Sequence, residues 1–201
     1  MPSAQHPTLN TQPLTPNTMF IAYQKKKENI CEYFLYMFQI EDLIRACKCD
    51  KSLIESQLLP KYPADMTTQN EVRQWYSGLT DQMVEERIQQ RGHLVSLTNK
   101  INEVLDFHLY LLNNPKEVAY QMRFAKVSPI ISELRQRQPS AAEFSDLHLA
   151  LNAVYGFTIL RLKGSQVSKE TAAAISQLVV WFNELSEKFR AYESGELKLD
   201  L

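Results

Sequence analysis

The segment NICEYFLYMFQIEDLIRAC, from Asn29 to Cys47, decides how this chain is read. Six large apolar or aromatic residues follow one another from Tyr33 to Phe38. Six consecutive positions wrap the whole circumference of a helix, so the spacing predicts an element enclosed by other helices. Ile30, Phe34, Met37, Glu41 and Ile44 recur at helical intervals and define one face. Glu41 interrupts that apolar face. A carboxylate there must be paired, protonated or solvated, because burying an isolated charge is costly.

Working outward, the remaining sequence has the same helical texture. A helix is expected from about Ala22 to Lys48, then a short one from Lys51 to Leu59, with Asp50 as N-cap and Pro60 as the stop. Residues 60–67 read as a linker. A long pattern from about Thr68 to Asn113 shifts phase near Arg91-Gly92-His93. Gly92 costs about 1 kcal/mol in a helix interior relative to Ala, so a break is expected there. Asn114-Pro115 suggests a cap and first turn for a helix reaching about Gln136, with Pro129 inside it. Ser140 to Glu143 has the capping-box pattern for a helix ending at Lys163-Gly164. Ser168 caps the last helix, whose stripe includes Ile175, Val179, Phe182 and Phe189.

No alternating strand pattern competes, and five glycines leave few hairpin turns. The expected fold is all-α: a single-domain antiparallel bundle of about six helices. Its expected extent is residues 19–192. Residues 1–18 are expected to be a disordered extension, with Met19 as a possible later start, and residues 193–201 a frayed tail.

Composition bounds the function. The 201 residues carry 22 basic and 23 acidic side chains. The first hundred hold 11 of each sign and the remainder 11 basic and 12 acidic, so neither half resembles a nucleic-acid module by charge. Cys31, Cys47 and Cys49 do not form a disulfide framework, and the Cys47–Cys49 pair lacks companions for a zinc site. No apolar run approaches the roughly 20 residues of a membrane span, and none near the N-terminus serves as a signal core. A cytoplasmic location is the expectation.

Phosphate loops, dinucleotide glycine patterns, nucleophile elbows and HExxH motifs are all missing, so no catalytic residue, cofactor or metal ligand is assigned. Polar residues nevertheless fall on core-facing stripes. Glu41, Asp42, Arg45, His93, His108 and His148 are the candidates for a polar site. The simpler expectation for each is structural pairing: a core histidine bonded to a carbonyl or carboxylate, and Glu41 paired with Arg45 one turn on.

The Lys27-Glu28-Asn29-Ile30, Glu32-Tyr33, Leu35-Tyr36-Met37, Gln39 and Glu41 to Ala46 pattern resembles the opening of an uncharacterised bacterial all-helical family of unknown function, DUF4924. Gly92-His93-Leu94, Leu109, Leu111-Leu112, Tyr155-Gly156, Leu160-Arg161-Leu162 and the Val167 to Thr171 turn extend the likeness over residues 19–192. The resemblance implies a cytoplasmic, helical bacterial protein and supplies no catalytic residues.

The leading functional expectation is a non-enzymatic interaction or scaffold protein, with a protein partner or self-association and no membrane. A rival is a small-ligand or metal site in the bundle core around Glu41 and His108. A third is weak nucleic-acid binding through the Lys25–Lys27 face, which three lysines support poorly.

Overall fold

A computed structural model describes residues 18–62, 66–137 and 144–198. The elements are α1 (Thr18–Glu28), α2 (Ile30–Ala46), α3 (Lys51–Gln57), a 3-10 turn (Leu59–Lys61), α4 (Met66–Glu85), α5 (Val95–Asn113), α6 (Val118–Arg137), α7 (Asp146–Leu162) and α8 (Lys169–Glu193). The protein is all-α, with eight α-helices and no strand among the described residues. The expected count of six is corrected at two places.

The first correction is at Asn29. Its backbone is extended (φ −150°, ψ 99°), and its side chain accepts from the Glu32 N–H as the N-cap of α2. An Asn that satisfies an orphan amide in this way ends one helix and opens the next. The second is the long helical pattern, whose expected break near Gly92 makes two separate helices, the first stopping at Glu85 and the next starting at Val95. Gly92 lies in that gap with φ +95°, a conformation that a side chain disfavours.

Caps account for most other boundaries. Asp50 accepts from the Ser52 and Leu53 amides to open α3, and Ser168 accepts from the Thr171 amide to open α8. Asn114 does not open a helix. Its side chain accepts from the Lys116 N–H in a local turn, and α6 starts at Val118. The Ser140–Glu143 box lies outside the described residues; α7 begins at Asp146, and Ser145 is its cap. α6 runs through Pro129. Expectations for residues 1–17 and 199–201 also fall outside the described residues.

Three helices end in left-handed turns of the Schellman kind. After α2, Lys48 N–H bonds Arg45 O and Cys49 N–H bonds Ile44 O; after α4, Arg87 N–H bonds Val84 O and Ile88 N–H bonds Met83 O; after α7, Gly164 N–H bonds Arg161 O and Ser165 N–H bonds Leu160 O. Lys48, Cys49 and Arg87 take positive φ without being glycine.

The chain divides into two compact units between Lys100 and Ile101. In the unit ending at Lys100, α1 packs on α2 and α4, and α3 packs on α4. Phe34, Met37, Phe38 and Ile40 of α2 are buried, whereas Tyr33, Leu35 and Tyr36 are half-buried. In the unit from Ile101, α6, α7 and α8 pack on one another, and Phe107 of α5 meets Phe189 of α8 edge to face at 5.4 Å. No described helix is long and apolar enough to cross a membrane.

Candidate functional site

Glu41 and Arg45 lie one turn apart on α2, so they share a face. Glu41 is fully buried at 0% exposure. Its Oε1 accepts from the Leu94 N–H at 2.9 Å, and its Oε2 lies 2.6 Å from His93 Nδ1. The carboxylate therefore meets the desolvation problem with one backbone amide and one imidazole, both from the connection between α4 and α5. The His93 ring is stacked on Phe38, with centroids 3.8 Å apart and planes 20° apart. Phe38 precedes Glu41 by three residues, so both partners of His93 come from neighbouring positions on α2.

Arg45 does not pair with Glu41. Its guanidinium donates to Asp42 Oδ1 at 2.9 Å, to Ile88 O at 3.3 Å through two nitrogens, and to Gly92 O. Carbonyls in a left-handed loop have no intrahelical donors, and the fixed fork of an arginine suits several of them at once. Glu86 completes the arrangement by accepting from the Val95 N–H at 2.8 Å. The amide just before α5 and the first amide within it are thus met by two carboxylates, Glu41 and Glu86. Negative charge at a helix N-terminus is favourable.

These contacts latch the 86–94 connection onto α2. Glu41, Asp42, Arg45 and His93 meet there. Near the same place, burial raises the Tyr33 phenol above its ordinary pKa; the Glu41 charge adds to the rise and Lys100 opposes it. Burial is also the main cause that raises the Cys47 and Cys49 thiols, with Lys61 and Arg45 respectively acting the other way. Raised thiols are poor nucleophiles at neutral pH.

His108 and His148 have partners of their own in the second unit. His108 is 1% exposed, with Nδ1 2.6 Å from the Tyr120 hydroxyl, which also accepts from Trp181 Nε1–H at 3.0 Å. Phe124 and Trp181 meet its ring edge to face at 4.6 and 5.3 Å. Burial among these aromatics lowers its pKa to about 4, with Asp146 acting the other way, so the ring is neutral at physiological pH. His148 Nδ1 lies 2.7 Å from Ser145 Oγ, where that serine caps α7.

Among the described residues, no group of three His, Cys, Asp or Glu side chains is placed to hold a metal ion. The three lysines of the proposed basic face are engaged on α1 and α2. Lys25 pairs with Glu32, Lys26 lies over the Tyr33 ring at 5.7 Å, and Lys27 over the Tyr23 ring at 4.5 Å.

Sequence reasoning missed Phe38, Glu86 and the Leu94 amide as members of the cluster. Phe38 had a signal, its spacing of three from Glu41. The role of the Leu94 amide had none, because any residue supplies a backbone N–H.

A family model described as Domain of unknown function (DUF4924) matches residues 19–196. No curated protein and no solved structure matches the chain.

Proposed function

The chain belongs to the DUF4924 family, and from that premise we propose that it is a non-enzymatic interaction protein of the bacterial cytoplasm. The supporting observation is the outward face of α6. Val118 and Met122, one turn apart, are 54% and 64% exposed, while Tyr120, Phe124, Val127 and Ile131 of the same helix are buried. A helix that displays two large apolar residues on its solvent side offers the kind of anchor that protein partners bury. Methionine adapts to irregular partner surfaces. Glu41 and Arg45 are both engaged within the fold, Glu41 with His93 and the Leu94 amide, Arg45 with Asp42 and the Ile88 and Gly92 carbonyls.

The test is a Val118→Lys, Met122→Lys double variant, compared with the wild type by sedimentation and by cross-linked capture from cells. The expected result is saturable capture of a partner, or self-association, that the variant loses with its unfolding midpoint unchanged. A wild type that stays monomeric at high concentration and captures nothing saturable would remove the reading.

A further inference from the structure

Independently of that interaction face, we propose that His93 Nε2 is a phosphoryl-acceptor site, with Glu41 as the group that positions the ring and balances its charge. Glu41 is a buried carboxylate with one oxygen on the Leu94 amide, so the contact of the other with His93 Nδ1 at 2.6 Å requires a proton between them. In the arrangement we propose, Glu41 is ionised and that proton sits on Nδ1, so a neutral His93 presents its lone pair at Nε2. The His93 side chain is 28% exposed, and its only hydrogen bond to a described residue is the one at Nδ1. Stacking on Phe38 and the Arg45 bonds to Ile88 and Gly92 fix the ring and the backbone that carries it. The ring thus has a stacking partner on Phe38, a carboxyl oxygen at Nδ1 and a side chain that is partly exposed.

Those are the requirements of a nucleophilic imidazole. When the Nε2 lone pair attacks the phosphorus of an acyl phosphate or of phosphoramidate, an Nε2–P bond forms. The P–O bond to the acyl group or the P–N bond to ammonia breaks, and the leaving group departs with that electron pair. The ring becomes cationic and keeps its Nδ1 proton against Glu41, whose carboxylate stabilises the positive charge as it develops. A single imidazole suffices for this acceptance. Of the other two described histidines, His108 is sealed among aromatics, and His148 Nδ1 lies 2.7 Å from the Ser145 hydroxyl.

The experiment incubates the full chain with phosphoramidate. Intact mass and phosphorus NMR follow the product, and fragmentation locates it. The expected product carries an acid-labile, base-stable phosphoryl group on His93 Nε2, formed about tenfold faster than any on His148 of the same molecule. His93→Gln removes it. Glu41→Gln slows it about tenfold, with His148 labelling unchanged as the internal reference. Labelling of His93 no faster than His148 would overturn the proposal, as would a folded Glu41→Gln protein labelled at the wild-type rate. If Glu41→Gln fails to fold, the wild-type ratio of His93 to His148 decides alone.

Discussion

Two histidines on either side of the Lys100–Ile101 division show how a neighbour determines what an imidazole is for. His93 is partly exposed and leans on a buried carboxylate. His108 is buried and leans on the Tyr120 hydroxyl amid Phe124 and Trp181. The first environment places a carboxyl oxygen of Glu41 2.6 Å from the ring nitrogen Nδ1. The second disfavours a positive ring, because desolvation by burial outweighs the opposing effect of Asp146. In one unit a polar contact ties a loop to a helix; in the other it completes an otherwise apolar core.

The largest effect that would break this comparison lies in the aromatic core. Trp181→Ala removes a fully buried ring and the donor to Tyr120, and is expected to cost about 4 kcal/mol, read from urea unfolding. A loss below about 1 kcal/mol would mean that the cluster does not hold its unit together.

Acidity tests the same side. His108 binds a proton near pH 4 when folded and near 6.5 when unfolded, so the unfolded state takes up more protons between those values. Its contribution is complete above pH 6.5 and is lost as the pH falls toward 4, by up to about 3 kcal/mol. His108→Gln should flatten that part of the stability profile. An unchanged slope would place the titration elsewhere.

On the other side, Glu41→Ala leaves the Leu94 amide and His93 without their acceptor and should cost about 2 kcal/mol. Gly92→Ala should cost about 1 kcal/mol, because φ +95° strains any side chain. Arg87→Gly tests the smallest term. Arg87 holds φ +58° at the end of α4, so glycine there should stabilise by up to about 1 kcal/mol, seen as a higher unfolding midpoint.

Much of the fold was legible because local chemistry decides it. Asp50 and Ser168 cap helices where their spacing predicted, and Gly92 lies in a break that a phase shift announced. Asn29 was read through, although it carried a cap signal, because apolar and helix-forming residues continue on both sides of it. Ser145 was displaced by the more regular Ser140–Glu143 pattern, since a capping box is recognisable in sequence and a lone serine is not.

The polar cluster was legible by half. Glu41 stood out as a carboxylate on an apolar stripe. Its partner did not, because His93 is 52 residues away and reaches it only through the tertiary placement of a loop. The nearer candidate, Arg45, turned instead to Asp42 and to two carbonyls whose exposure depends on the left-handed turns of that loop. Side-chain spacing forecasts pairs within a helix, and says nothing of a backbone amide arriving from elsewhere.

The central claim is that Glu41 holds the 86–94 connection against α2. Hydrogen exchange at the Leu94 amide tests it most directly, compared between the wild type and Glu41→Ala. The account predicts a protected Leu94 amide in the wild type and exchange near the unprotected rate in the variant, with α8 amides still protected. Equal protection of Leu94 in both proteins would contradict it.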